Sequence, residues 1–353
     1  MFFIRPIERR DLNALFDMAE ESGIGVTSLP ANHDKMELKI SRAVNSFTDN
    51  IAQKDALYLF VLEDAETGAL AGVSAIEAEI GNQDVWYNYR VGNSVHASQE
   101  LGVHKQTKTL FLSNDMTGAT EVCTLFLREK YRQGVNGRFL SKQRYLFLAE
   151  FQERFNERVI AEMRGYSDEV GHSPFWEGLG RKFFQMEFKE ADYLTGLGNK
   201  WFIAELMPKY PIYVPFLSQE AQEVIGKVHE NTEPALALLQ QEGFRFNSYI
   251  DIFDAGPSVE CRLPDIRAVK ESVVVDWVAD ENSVAIDDPR GDVWMISNRQ
   301  FVNYRVILIA GANIKDGHIV LNAAEIAALS LEPNSQVRAV SMRPAIPTIR
   351  SSK

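Results

Sequence analysis

Glu121-Val-Cys-Thr-Leu-Phe-Leu127, running straight into Arg128-Glu-Lys-Tyr-Arg-Gln-Gly-Val-Asn-Gly-Arg138, is the stretch on which the fold turns. The first seven residues are mostly β-branched or apolar and predict a strand. The next segment is charged and carries Gly134 and Gly137, and the spacing of Phe139, Leu140, Leu146, Phe147 and Phe151 predicts a helix over Asn136–Phe155. A glycine-containing loop at a helix N-terminus offers unpaired N–H groups and the positive end of the helix dipole, which makes an anion site suited to a pyrophosphate. The charge agrees: nine Arg/Lys against five Asp/Glu lie between Arg128 and Arg164, a local excess of +4 in a chain of net charge −12. An ordinary strand-to-helix turn with a solvated basic helix face has the same spacing, so the stretch alone leaves both readings open.

Working outward, Phe2–Ile7 reads as a short strand, and Arg9–Glu20 as a helix with Leu12, Leu15, Phe16 and Ala19 on one stripe. A second helix over Asp34–Phe47 aligns Met36, Ile40, Ala43, Val44 and Phe47. Tyr58–Glu63 and Ala71–Glu77, joined by Asp64-Ala-Glu-Thr-Gly68, read as an antiparallel hairpin, and Leu110–Ser113 as a further strand. Downstream come a strand over Val159–Met163, a short helix over Pro174–Phe184, a helix from Glu233 through Leu236, Leu239 and Gln240, and a strand over Tyr249–Phe253. Leu179-Gly-Arg-Lys-Phe-Phe184 faintly echoes Gln241-Glu-Gly-Phe-Arg-Phe246, as two helix ends capped by glycine would. After Cys261 the texture changes to short β-like runs at Val273–Val278, Val293–Ile296, Tyr304–Ile309, Ile319–Leu321 and Val337–Val340, with one helix over Ala323–Leu329. The expected organisation is a main unit over 1–261, a small β-rich unit over 262–342 and a flexible tail over 343–353.

Composition excludes several classes. Thirty-seven Lys+Arg against 49 Asp+Glu leave no excess of cations for broad contact with nucleic acid or an anionic membrane. No apolar run nears the ~20 residues that cross a bilayer. The start, Met-Phe-Phe-Ile-Arg-Pro6, lacks the basic-then-apolar pattern of a signal peptide. Cys123 and Cys261 form neither a disulfide framework nor a CxxC, and the six histidines show no ligand spacing, so no metal is expected. There is no GxxxxGK[ST], GxSxG or HExxH, and Gly196-Leu-Gly198-Asn-Lys-Trp201 lacks the third glycine of a dinucleotide fingerprint. The expected protein is a reduced, cytoplasmic, globular one, with its oligomeric state open and a homo-oligomer included.

The order hairpin, strand, Arg-rich glycine loop, helix, strand, helix, Gly-Phe resembles the acyl-CoA N-acyltransferase (GNAT) superfamily. In that superfamily the loop reads [Q/R]-x-x-G-x-[G/A] and its amides hold the coenzyme A pyrophosphate. Aligned on Arg132 and Gly137, this chain has Val135 where the middle glycine belongs and Gly134 one place early. Across nearly the whole chain the sequence also resembles the arginine N-succinyltransferase family. The stretches that carry this are Gly25-Val-Thr-Ser-Leu-Pro30, Trp86-Tyr-Asn-Tyr-Arg90, Val95-His-Ala-Ser98, Leu110-Phe-Leu-Ser-Asn-Asp115, Ser173-Pro-Phe-Trp176, Ala204-Glu-Leu-Met-Pro-Lys209, Pro211-Ile-Tyr-Val214 and Tyr249-Ile-Asp-Ile-Phe-Asp254. The fold so implied is α/β (α+β): a mixed, largely antiparallel sheet flanked by helices.

The resemblance implies succinyl transfer from succinyl-CoA, a co-substrate rather than a tightly bound cofactor, to the α-amine of L-arginine, the entry step of arginine breakdown by succinylation. Transfer to ornithine, or a non-catalytic acyl-CoA-binding subunit, are the alternatives. The family's succinyl-CoA-contacting leucine maps to Leu125, and its proton-donor histidine, in a Gly-x-Val-His segment, to His229 of Gly226-Lys-Val-His229. With Leu125, the strand residues Phe126 and Leu127 and the loop residues Arg132, Gly134, Asn136, Gly137 and Arg138 are the expected acyl-CoA contacts. Such a reaction needs a base for the ammonium, a donor for the oxyanion and a proton for the departing thiolate. His229 suits the last role, and an imidazole can serve in the first as well. The succinyl carboxylate calls for a bidentate cation, Arg90 in an aromatic-polar loop or Arg164. The guanidinium calls for carboxylates, with Glu77, Asp84, Asp115 and Asp254 as candidates, and Asn88 lies beside Arg90. Cys123 reads as core: by strand alternation it shares a face with Leu125, and direct amine attack needs no acyl-enzyme.

Overall fold

The computed structural model describes residues 1–22, 28–82, 84–168, 171–196, 201–286, 291–315 and 317–343. Gly25 to Thr27 of one family-like stretch, and the expected tail beyond Arg343, lie outside them. The elements run β1 (Phe2–Pro6), α1 (Leu12–Ser22), α2 (His33–Phe47), β2 (Leu57–Asp64) and β3 (Leu70–Glu77). A long hairpin, β4 (Asn88–Ser98) and β5 (Val103–Ser113), precedes β6 (Thr120–Leu127), α3 (Asn136–Glu150) and β7 (Arg158–Glu162). Then come β8 (Ile212–Tyr213), β9 (Arg245–Ile250), β10 (Pro257–Arg262), β11 (Val273–Val275), β12 (Trp277–Ala279), β13 (Val293–Ser297), β14 (Val306–Ala310), β15 (Ile314–Lys315), β16 (His318–Leu321) and β17 (Val337–Ser341).

Among the described residues fourteen strands form one sheet in the order β11-β17-β13-β14-β1-β2-β3-β6-β7-β10-β9-β4-β5-β8, and β12, β16 and β15 form a small second sheet. The large sheet is antiparallel except at its centre, where β6 and β7 run parallel. Parallel neighbours need a crossover, and α3 supplies it. The C-terminal strands join the large sheet through β14, which pairs with β1. The run expected over Val273–Val278 divides between the two sheets, Val275 pairing with Val337 and Val278 with Val320.

Helices cover both faces. On one, α1 and α2 bring Leu15, Met18, Met36, Ile40 and Ala43 onto Leu59, Val61, Val73 and Phe126. On the other, α3 buries Phe139, Leu140, Tyr145, Leu146 and Phe147 against Tyr58, Phe60, Val122 and Val159. This helix is buried almost all round: Lys142, Gln143 and Arg144 are 0–2% exposed. The solvated basic face that its charges suggested is therefore absent. Lys142 pairs with Glu242 at 3.0 Å, both fully buried, and Arg144 donates to the Ser141 and Cys123 carbonyls. Arg154 and Arg158 are held by Asp49 and Glu260. The local +4 thus overstates the charge a ligand meets, because much of it neutralises the protein's own carboxylates.

Several details differ from the sequence reading. The helix ends at Glu150, and Gln152–Arg154 is a separate 3-10 turn. The strand expected over Tyr249–Phe253 spans Arg245–Ile250, because Asp251 accepts the Phe253 and Asp254 N–H groups and turns the chain. Gly180 sits in right-handed helix whereas Gly243 has φ +103°, so the two Gly-aromatic echoes are not the same cap.

Candidate functional site

At the centre of the sheet β6 and β7 separate. Their parallel pairing is confined to Thr120↔Val159 and Glu121↔Ile160, while Val122–Leu127 run on paired with β3 alone. The edge of β6 that faces away from β3 is thereby left without a strand partner over its C-terminal half. An extended ligand can pair along that edge, where the Cys123 and Leu127 carbonyls already accept from the Arg144 and Arg132 guanidiniums.

Within that stretch Thr124 has φ +51°, and the register with β3 slips between Val73 and Ala75. This is a bulge, and it turns the side chains after it to the other face. Cys123 packs with the α1/α2 core, whereas Leu125 packs with the α3 core. The two residues expected to share a face therefore lie on opposite ones. Cys123 is a poor nucleophile: burial, with Glu121 and Glu77 nearby, pushes its thiol up to about 12.

The loop after β6 is braced from inside. Arg132 donates Nε to the Leu127 carbonyl at 2.9 Å, and Asn136 donates Nδ2 to the Tyr131 carbonyl at 3.1 Å. Arg128 leans on Asp17 and Glu21 of α1, at the edge of an open hollow of about 440 Å³ lined by Glu21, Arg128, Glu129 and Lys130. The one left-handed residue of the loop is Gly134, φ +59°. Val135, the N-cap of α3, has φ −106° and is 9% exposed. Its backbone needs no glycine, and its side chain is used in packing. Phe139 N–H reaches the Val135 carbonyl at 2.8 Å, so the N–H groups preceding it in the first turn, Gly137 and Arg138 included, have no intrahelical acceptor. Arg132 is exposed and Arg138 half-buried around this helix start.

His229 closes the other side of the opening. Met163 N–H bonds to the Pro257 carbonyl and Gly165 N–H to Asp254 Oδ2 at 2.7 Å, so both face the β10 edge. Arg164, between them, points its carbonyl the other way and accepts His229 N–H at 2.9 Å. Val228 bridges Gly165 and packs on the same core as Leu125. Gly165 has to be glycine, since a Cβ there would overlap Asp254 and Gly256. His229 is half-buried, and its Nδ1 accepts Asn231 N–H at 3.1 Å, which places the proton of the neutral ring on Nε2. Burial, and then the Arg164 guanidinium, lower its pKa from the usual histidine value.

The other expected contacts separate. Arg90 lies in strand β4, not a loop, exposed and 6.0 Å from the Tyr249 ring. Arg164 donates to Ser167 Oγ at 2.9 Å. Asp254 is 7% exposed and gives its two oxygens to Gly165 and Gly256 N–H; burial, then the neighbouring Asp251, raise its pKa well above the usual carboxylate range. Glu77 is clamped by Arg42 and Asp115 takes the Tyr249 hydroxyl, so neither faces the opening freely. A residue absent from the sequence reading stands closer: Glu162, at the end of β7, where its Oε1 accepts Asn88 Nδ2 at 2.8 Å and Ser258 Oγ at 3.3 Å. Asn88 is 1% exposed and its Oδ1 has no partner among the described residues. Only the position of Glu162 as the one acid ending the apolar run Val159-Ile-Ala161 could have flagged it. Among the described residues no group of three or more His, Cys, Asp or Glu is arranged to hold a metal, and no helix is long and apolar enough to cross a membrane.

Comparison with known proteins decides the family. The family model described as arginine N-succinyltransferase beta subunit matches residues 2–268, and that of its C-terminal domain matches residues 278–341. The chain belongs to the arginine N-succinyltransferase family. An arginine N-succinyltransferase of Escherichia coli O6:H1 is 49% identical over 340 residues, covering 96% of this chain and 97% of its own. The homologue of Escherichia coli O127:H6 is 48% identical over the same span. The arginine/ornithine succinyltransferase subunit AI of Pseudomonas aeruginosa superposes with a TM-score of 0.88 at 34% identity, over 97% of this chain and 99% of that one. The long hairpin, the opening at β6/β7 and the C-terminal strands are thus described here in a family member over almost its whole length.

Proposed function

We propose that this acyltransferase moves the succinyl group of succinyl-CoA to the α-amine of L-arginine, releasing CoA and N2-succinyl-L-arginine. The observation that carries the assignment is the opening between β6 and β7, walled by a free strand edge on one side and His229 on the other, in a chain of this family. Pantetheine lies along Leu125–Leu127 as an added strand, and the pyrophosphate sits on the amides of Gly134, Asn136, Gly137 and Arg138 with the Arg132 guanidinium beside them. The bulge at Thr124 turns a backbone N–H of β6 out of the ladder, toward the oxyanion that forms at the thioester carbon.

The α-ammonium first loses a proton, for which Glu162, tied to Asn88, is the acceptor. The nitrogen then bonds to the carbonyl carbon, the carbon–sulfur bond breaks, and the nitrogen releases its second proton to solvent as the amide forms. The thiolate leaves against the Nε2–H of His229, which donates a hydrogen bond as solvent returns the proton. Arg90 and Arg164 are the cations available to the succinyl carboxylate, and Asp254 acts at a distance by holding Gly165, and through it the His229 loop. Both substrates place the enzyme in the cytoplasm.

Thiol release from succinyl-CoA, followed with arginine, ornithine or no amine, in wild type and His229→Ala, tests the reading. Release driven by arginine and depressed at least tenfold in the variant is expected. Faster turnover of ornithine would change the substrate, and an undiminished variant would remove His229 from the chemistry.

A further inference from the structure

The bulge of β6 is met by a cation from each side. From the α3 side, Arg144 commits its guanidinium to the Ser141 carbonyl, the Ser141 hydroxyl and the Cys123 carbonyl. From the other side, Lys39 of α2 reaches the bulge residue itself. Its Nζ donates to Thr124 Oγ1 at 3.3 Å and to the carbonyl of Ser28, in the segment that joins α1 to α2, at 2.6 Å. An ammonium carries three N–H donors. Among the described residues two of them are used, both on neutral oxygens, and the third is left for a further acceptor.

The charge is as incomplete as the hydrogen bonding. Of the acids that act on Lys39, Glu77 and Glu121, the first is clamped through both its oxygens by Arg42. Lys39 is half-buried, and burial is the main influence on its pKa, lowering it from the usual lysine value. A desolvated cation resting on neutral oxygens is costly until an anion joins it. The reaction brings one. With the thioester carbon at the bulge, three carbon–carbon bonds of about 1.5 Å put the free carboxylate of a succinyl group about 4 Å farther on. That reach is of the order of the Lys39–Thr124 contact. Arg90 lies exposed over the Tyr249 ring and Arg164 is bonded to Ser167, whereas Lys39 is bonded to the bulge.

We propose that Lys39 selects the acyl group: its ammonium takes the free carboxylate of succinyl-CoA, so that acyl chains ending in a carboxylate are preferred to neutral chains of the same length. The inference rests on the proposed reaction for the place of the thioester. The bonds to Ser28 and Thr124 fix the ammonium before the ligand arrives, so little further ordering is needed on binding. They also join recognition of the far end of the acyl chain to the residue that shapes the oxyanion site.

Equilibrium binding of succinyl-CoA, butyryl-CoA and CoA to the full chain, without an amine and so without turnover, tests the assignment. Butyryl-CoA has a methyl group where succinyl-CoA has its carboxylate. Wild type is expected to bind succinyl-CoA at least tenfold more tightly than butyryl-CoA, as a charge-assisted hydrogen bond in a partly buried site would give. In Lys39→Gln, which keeps an N–H donor but not the charge, the two should bind nearly alike while CoA binds as in wild type. Wild type without the preference, or Lys39→Gln with the preference intact, would overturn the proposal. Should the variant misfold, labelling of wild-type lysines with acetic anhydride decides. Protection of Lys39 by saturating succinyl-CoA but not by saturating butyryl-CoA supports the assignment, and equal protection by both refutes it. Thiol release with arginine is read separately: a chain that binds with this preference and turns nothing over would remove the reaction and leave the carboxylate site standing.

Discussion

Val135→Gly writes into the loop the glycine that the GNAT loop pattern would place there, and the structure says it harms the protein. Val135 is 9% exposed at the start of α3 and already has φ −106°, open to any residue. Removing its isopropyl group forfeits about 2 kcal/mol of burial, at ~0.8 kcal/mol per methylene-sized group. The added backbone freedom of glycine costs roughly 0.5–1 kcal/mol more, softened by a few tenths because glycine is tolerated at an N-cap. The expected loss is therefore about 2–3 kcal/mol, read as a lower urea midpoint with unchanged slope. Ligand binding worsens too, since the amides that hold the pyrophosphate must be ordered again. A cost of about 0.5–1 kcal/mol gives a two- to fivefold rise in KM for succinyl-CoA. Gly134→Ala is the companion, because its φ of +59° belongs to glycine, and the strain of roughly 1 kcal/mol falls on the same loop. A Val135→Gly enzyme with an unshifted urea midpoint and a lower KM would refute this placement of the loop's left-handed turn.

Other expectations follow from single contacts. Cys123→Ala should keep kcat within about twofold and iodoacetamide at pH 8 should leave wild type active, since the thiol is held near 12; inactivation through Cys123 would contradict the direct-attack route. Glu242→Gln removes the carboxylate that meets buried Lys142 at 3.0 Å and Arg267 at 2.9 Å, leaving, among the described residues, Glu271 as the acid on Arg267 and no acid on Lys142, and should cost about 3–5 kcal/mol in urea unfolding; a loss below about 1 kcal/mol would show the cluster is not buried as described. Because His229 acts neutral with a pKa lowered by burial and by Arg164, kcat should fall as pH drops through a value below the usual 6.5, and that acid limb should vanish in His229→Gln; activity that instead rises on acidification would assign the imidazolium. Glu162→Gln should cut kcat for arginine at least tenfold with the KM for succinyl-CoA unchanged, and equal kcat would move the base elsewhere.

What could be read from the sequence follows the regularity of burial. α1 and α2 bury one periodic stripe against one layer, whereas β2 and β3 are continuous apolar runs buried on both faces, and each pattern is displayed in the sequence. The helix over α3 was visible but its environment was not: Lys142 and Arg144 look like solvent-facing charges until Glu242 and the Cys123 carbonyl are brought to them by distant parts of the chain. The bulge at Thr124 leaves no mark in composition, yet it sets Cys123 and Leu125 on opposite faces. Most of β4 was missed because its outer half, exposed residue after residue at Val95, His96 and Ala97, has no apolar alternation to show. At the site, the glycine loop announced itself through charge and glycine, whereas His229 stands in a polar segment and was singled out by family resemblance alone. Glu162 and Asn88 meet only because β9 and β10 set β4 near β7, a long-range pairing that no local pattern encodes.

The proposed reaction succinylates the α-amine of arginine at the opening between β6 and β7. Mass spectrometry of the product from succinyl-CoA and arginine carrying ¹⁵N only in its α-amine tests it most directly. One succinyl group per arginine is expected, on the labelled nitrogen, formed in step with thiol release. Thiol release without succinylarginine, or a succinyl group on the guanidino end, would contradict it.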